Sequence, residues 1–493
     1  MKLFYYSWQR MTAVVIIVFL FSPACMYDKI EPVNNSGFPE PVWKIMKGNC
    51  GVTGCHTSTN NEAAVGLDLT TWEGMFKGGR NNSNVIPYRS DQSFLMYSIN
   101  TFSDLGPQLI PTMPFGKQNF SRDDVLTIRN WIDEGAPNDA GYVKFSENPE
   151  RKKIYVANQG CDLVSVFDAE TKLLMRVVDV GRYPSIEIPH YITVSPDGEF
   201  WYVVFISSTY MEKYRCSDDV KVGEVDLGLP GWHTISISGD SKFALAVHWD
   251  AGGAVARIDL TSFQLTQLYS GAGLFQLPHG SALNQDGSIG YVSAQTGNFV
   301  YKLDMTDADN PDITMKVMQP GDFPNPFGNL FNPHQIKFSP DYSEYCVTVE
   351  VRDEVRFFNS ANDSLLAVIP SCKYPQEMAY STSTPYLFVT SYADATAFAP
   401  KVGSITVINY LTHSFITNIY SGYQPHQLVV DDENGYAFVA NRNISLGGPA
   451  PHHASTCAGR NGYVTAIDLN TLTMVPGFKA EVSVDPYSVA IRK

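Results

Sequence analysis

Ile154-Tyr155-Val156-Ala157-Asn158 and, far downstream, Ala437-Phe438-Val439-Ala440-Asn441 are one pattern written twice: a β-branched and aromatic run closed by Asn. Between them lie Trp201-Tyr202-Val203, Ala244-Leu245-Ala246-Val247, Tyr291-Val292-Ser293, Cys346-Val347-Thr348 and Leu387-Phe388-Val389. Recurrence at roughly 40 to 55 residues is the mark of a four-stranded unit repeated around an axis. A further strand opens at each of Pro189, Trp232, Pro278, Pro333, Pro375, Pro425 and Pro486, and several are followed by turns such as Ser195-Pro196-Asp197-Gly198. The first unit has no such strand ahead of it, whereas the chain ends on one, Pro486-Tyr487-Ser488-Val489-Ala490-Ile491. The expectation is a mainly β fold, a seven-bladed β-propeller over residues 150–493, whose last strand completes the first blade and leaves no long open sheet edge.

The same strands carry a second regularity. They begin Pro189-His190, Trp232-His233, Pro278-His279, Pro333-His334 and Pro425-His426, with Gln376 and Tyr487 at the two remaining positions. Equivalent repeat positions are equivalent in space, so five imidazoles should ring one mouth of the central channel. His248, at the end of a second strand, and His452 and His453, in the loop after Asn441, are expected on that side too, with His56 and His413 as the exceptions. Neutral imidazole is a common ligand for zinc, copper and iron. Three uses stay open: a hydrogen-bonded plug, a metal or second-cofactor site, and a docking surface for the N-terminal part of the chain.

That N-terminal part contains Asn49-Cys50-Gly51-Val52-Thr53-Gly54-Cys55-His56. Covalent haem c needs two thiols that reach the porphyrin edge and a His directly after the second, so that a ring nitrogen meets the iron. Four residues separate the thiols here where two are usual, and Gly51 and Gly54 give the longer loop its backbone freedom. Met113, between Pro111 and Pro114, offers a thioether for the other axial position. Ser121 with Asp124 reads as the capping box of a helix whose apolar residues Val125, Ile128 and Ile132, beside Trp131, would wall the haem. The competing reading pairs Cys50 with Cys55 in a disulfide; a zinc site has too few ligands nearby.

The opening 25 residues combine Lys2 and Arg10 with an apolar run from Thr12 to Phe21 that ends in Ser22-Pro23-Ala24-Cys25. This is an export signal too short to span a bilayer comfortably, and its end resembles a bacterial lipobox, with Cys25 as the lipidated residue after cleavage. A linker over 26–41 and a haem domain over 42–142 would follow. Eight cysteines in an oxidising compartment permit disulfides, and Cys346 and Cys372 either pair or stay as buried thiols. The formal charge of −15 disfavours nucleic acid and favours neutral or basic partners.

Two resemblances sharpen these expectations. The order Cys50…Cys55-His56, Gly66-Leu67-Asp68-Leu69, Ile86-Pro87, Ser93-Phe94-Leu95, Met113-Pro114 and Trp131-Ile132-Asp133-Glu134-Gly135-Ala136 resembles the small cytochrome c domains of planctomycete and Bacteroidetes exported proteins. It implies covalent haem c with His56 and Met113 as axial ligands. Tyr155-Val156-Ala157-Asn158 and Val164-Ser165-Val166-Phe167-Asp168 resemble YVTN propeller repeats, a superfamily sharing its architecture with nitrous-oxide reductase. By that likeness His190, His233, His279 and His334, with His426 and His248 nearby, could hold copper or another metal, although Gln376 and Tyr487 interrupt the ring. The expected function is electron transfer by a periplasmic or cell-surface lipoprotein, touching the membrane only through its anchor, with a redox protein as partner. Whether it is itself a metal-dependent oxidoreductase, or a surface-anchored binding module whose haem serves a separate enzyme, stays open at this point.

Overall fold

The computed structural model describes residues 34–59, 64–182, 184–452 and 457–493; the export signal and Cys25 lie outside them. Among the described residues twenty-eight strands form seven antiparallel four-stranded sheets, the blades of a propeller. The innermost strands are Pro189–Val194, Trp232–Ile237, Pro278–Leu283, Pro333–Phe338, Met378–Tyr380, Pro425–Asp431 and Pro486–Arg492. Six start where the sequence puts them. The strand expected from Pro375 begins at Met378, because the backbone of Gln376 and Glu377 exchanges bonds with Thr390 outside a regular ladder.

Ring closure follows the sequence. Pro486–Arg492 pairs with Lys153–Asn158, aligning Arg492 with Lys153 and Ala490 with Tyr155, so the two ends of the propeller share one blade. Arg492 is buried and its guanidinium donates to the carbonyl of Gly198 and to Glu150, tying the last turn of chain to the second blade and to the segment entering the first. Blades pack face to face, so second strands such as Lys153–Asn158 are buried along their whole length. Outermost strands such as Gln264–Ser270 alternate towards exposure, as a half-solvated strand must. Buried polar groups between blades find partners: Asp219 takes bonds from Lys153 and Tyr155, and Asp363 repeats this with Lys302 and Tyr291.

Among the described residues four α-helices precede the propeller: α1 (Glu40–Asn49), α2 (Trp72–Met75), α3 (Phe94–Ile99) and α4 (Arg122–Asp133). None is long and apolar enough to cross a membrane. Helix α1 starts two residues inside the expected linker, with Pro41 in its first turn, where a missing N–H costs nothing. The capping box of Ser121 and Asp124 opens α4 as expected. Phe38 packs edge-on against Trp131, and Trp72 donates to the carbonyl of Ala136.

These helices lie along the outermost strand of the first blade, Leu174–Asp179. Asn82 bonds both the carbonyl of Lys172 and the N–H of Leu174, and Arg89 reaches the carbonyl of Val177 and the carboxylate of Asp179. Docking on the channel mouth is therefore corrected: three strand spacings, about 14 Å, separate this edge from the inner strand of the same blade.

Cys161, in the first blade, is bonded to Cys457, in the loop before the third strand of the seventh. Cys346 and Cys372 do not pair; both are buried thiols, and Cys346 accepts a bond from Tyr380. The Cys161–Cys457 bridge spans 296 residues and fastens the two blades that meet at the closure. A Cys161→Ser, Cys457→Ser double variant should therefore lose about 2–5 kcal/mol of stability. Thermal melts with and without reductant check this, and an unchanged Tm would remove the bridge from the closure.

Candidate functional site

Two sites emerge, one in each part of the chain. In the helical part a cavity of about 540 Å3 is lined by Cys50, Cys55, His56 and Met113 together with Leu67, Leu69, Leu95, Ile99 and Asn84. The volume lies within the ~300–1,000 Å3 of cofactor-sized sites. All four residues singled out by the sequence thus meet at one cavity.

Local backbone explains how. Cys50 ends α1; the N–H of Cys55 turns back to Val52 and that of His56 to Cys50, which coils the four-residue spacer into a compact loop. Gly54 has φ +85°, and a side chain at Gly51 would meet the Leu69 carbonyl at 2.9 Å, so both glycines are needed for this path. Met113 is fixed by its N–H to the carbonyl of Ser98 on α3. Both thiols are unpaired, which corrects the disulfide reading. Burial, then the neighbouring Cys55, pushes the Cys50 thiol up to about 12. Burial lowers the pKa of His56, keeping the ring neutral, while the nearby Leu67 backbone pulls the other way. Its Nδ1 is nevertheless buried outside hydrogen-bonding geometry to any protein group, as is Asn84 Nδ2. Two thiols, an unpaired imidazole and a thioether around an apolar void fit the attachment chemistry of haem c.

One expectation fails here. Helix α4 does not wall the cavity: Val125, Ile128, Trp131 and Ile132 are buried in the core shared with α1, and the lining comes from α3 and the 64–69 segment.

The second site is the channel mouth. Tyr487, His190, His233, His279 and His334 follow one another around it with centroid separations of 4.2, 4.5, 5.4 and 4.1 Å, and His426 stacks on Tyr487 at 3.6 Å. The donor atoms of His190, His233 and His279 lie within 4.8 Å of one another. A backbone device repeated in every blade aims these side chains. The residues before the strand openings, Ile188, Gly231, Leu277, Asn332, Tyr374, Gln424 and Asp485, all have positive φ. At each His, and at Tyr487, the ladder to the second strand shifts register. Such breaks re-aim side chains. In three blades the N–H freed by this irregularity bonds a hydroxyl of the second strand, Ser293, Thr348 or Thr390. The same hydroxyls donate to the carbonyls of His334, Gln376 and His426 in the next blade, so each blade sets its neighbour.

Burial pushes the imidazole pKa values down, to about 3 at His233 and His334, so the ring is neutral. His190 Nδ1 pairs with Gln159 Oε1 at 3.0 Å, and His426 Nδ1 with the carbonyl of Tyr487. Nδ1 of His233 has no partner among the described protein groups, while the backbone of His334 and of Gln376 opposes the fall in pKa at His279 and His334. His248 stands one strand outward, its ring against Trp232, and belongs to the same end but not to the close trio. His452 lies at the expected end but at the outer edge, not at the mouth: it is exposed and its N–H bonds Glu481 on the outermost strand of the seventh blade, level with Asn441 and Pro425. His453 falls outside the described residues. His413, as expected, is elsewhere, bonded to Glu344.

Glu350, which accepts from Gln376 and lies 3.8 Å from His334 Nε2, belongs to no motif legible in the chain. Trp249, stacked on His233, and the chain Gln159–Asp485–Arg442 were equally hidden. Gln159, Trp249, Glu350 and Arg442 each directly follow a second strand and so share one repeat position, but its residue type changes from blade to blade, which hides it.

No family model matches the chain, and no curated protein does. Among solved structures, a functionally unknown protein from Desulfotomaculum acetoxidans DSM 771 is similar with a TM-score of 0.52 and 13% identity, over 69% of this chain and 98% of that one. The Kuenenia stuttgartiensis hydrazine synthase is similar with a TM-score of 0.47 and 18% identity, over 63% of this chain and 91% of that one. At such identity the first likeness concerns the fold alone.

Proposed function

We propose that this chain is an exported c-type cytochrome that transfers electrons through haem c in its helical segment, with the propeller as a rigid mount. The observation that carries the proposal is the meeting of two unpaired thiols, His56 and Met113 on one largely apolar cavity. When bound there, haem c supplies a one-electron carrier whose potential a His/Met pair raises. The chain's residues do the rest. Cys50 and Cys55 would tether the group, the neutral His56 ring and the Met113 sulfur would be its iron ligands, and Leu67, Leu69, Leu95 and Ile99 would exclude water. Asn84 Nδ2 offers a buried donor to an acidic substituent.

Export and lipidation at Cys25 belong to the same proposal. The Cys161–Cys457 bridge supports them, since such bonds persist in oxidising compartments. A redox protein is the partner: Ile110 and Phe115, 90% and 74% exposed, flank Met113 and give an apolar landing edge beside the cavity. A second reading, a propeller that binds a ligand or protein while the haem serves a separate enzyme, is favoured by the helices' lateral docking, which leaves the channel mouth free.

Protein matured in a host that attaches haem c should be coloured and show the sharp α-band of a c-type haem after dithionite reduction; colourless protein would end the cytochrome reading. Met113→Ala should keep the haem attached but abolish the low-spin His/Met signature and lower the reduction potential. An unaltered spectrum and potential would take Met113 out of the ligand role.

A further inference from the structure

The channel mouth is not satisfied as a hydrogen-bonded plug. Buried polar atoms in folded proteins nearly always have partners, yet Nδ1 of His233 has none, while the His279 and His334 rings face the backbone of His334 and Gln376 in the next blade. Strand-opening residues with positive φ, and shifted ladders at each His, turn these imidazoles onto one another.

We propose that His190, His233 and His279 bind one divalent first-row ion of the zinc or copper class at the mouth of the propeller channel. Their donor atoms already lie within 4.8 Å of one another. The donor set is all imidazole nitrogen, which suits zinc and copper and not the oxygen-seeking magnesium or calcium. Three His ligands leave a fourth position for an exchangeable ligand, the arrangement of catalytic rather than structural zinc sites. His233 is the partly exposed member of the trio, which gives solvent a way to the site. His334, 4.1 Å from His279 between ring centroids, with Glu350 beyond it, is the nearest further donor.

The outer support of the site is also built. Gln159 Oε1 accepts from His190 Nδ1–H, and its Nε2 donates to Asp485, whose carboxylate pairs with Arg442. Fixing Nδ1 leaves Nε2 as the free ligand atom of that ring, the usual role of such second contacts. This inference stands apart from the haem, since no residue of the helical segment takes part.

The test uses full-length, tag-free protein stripped with EDTA, loaded with Zn2+ or, in a separate arm, with Cu2+, desalted and counted by plasma mass spectrometry. One equivalent per chain is expected in at least one arm. In His233→Ala, His279→Ala protein it should fall to background, and in His413→Ala it should stay at one. Gln159→Ala should weaken binding about 10–100-fold. Because the double variant could misfold, the Cu2+-loaded wild type is also examined by electron paramagnetic resonance, where nitrogen hyperfine structure from imidazoles is expected. No stoichiometric metal in either arm, undiminished metal in a folded double variant, or a copper signal without nitrogen coupling would overturn the assignment. The absorption spectrum of the same samples reports the haem separately, so loss of either reading is told from loss of the other.

Discussion

The pairing of Pro486–Arg492 with Lys153–Asn158 is the contact on which everything else rests. Without it the blades would form an open arc with two exposed sheet edges, and no channel would exist for the histidines to line. The cost of bringing such distant segments together is met by a continuous buried ladder, by Arg492 reaching into the second blade, and by the Cys161–Cys457 bridge next door. The blade closed in this way is also the one against which the helices pack. The helical cavity therefore hangs on the same joint as the channel.

A rigid ring turns a local irregularity into a site. One positive-φ residue before each inner strand, with a ladder shift in six of the seven blades, would be minor defects in an isolated hairpin. Repeated around an axis, with Ser293, Thr348 and Thr390 passing each correction to the next blade, they converge side chains that no single blade could bring together. The helical cavity is made differently, by a loop coiled between two required glycines and by a Met anchored to α3. Asn81 and Asn84 line that cavity while Asn82 between them is bonded to the first blade. The wall of one site is thereby continuous with the scaffold of the other.

Much of this was legible from the chain alone because repetition makes position readable. Blade number, strand order, closure and the five-histidine ring follow from aligning like strings, and Cys50, Cys55, His56 and Met113 from the chemistry that links them. What escaped lies where repeats diverge. Glu350 sits in a short 3-10 turn that, among the described residues, only the fifth blade has, and the loop after Asn441 carries His452 outward to Glu481 instead of inward. The apolar face of α4 was read correctly as buried but assigned the wrong neighbour, since periodicity says which face is covered and not by what. The Cys161–Cys457 pair was invisible for a related reason: only the ring's closure brings those loops together.

The claim at the centre of the account is that Cys50 and Cys55 carry a covalent iron porphyrin. Peptide mass spectrometry of the mature protein measures it most directly. The peptide containing both residues should carry the mass of one haem, with no free thiol available to alkylation; the same peptide unmodified, or closed by a Cys50–Cys55 disulfide, would contradict it.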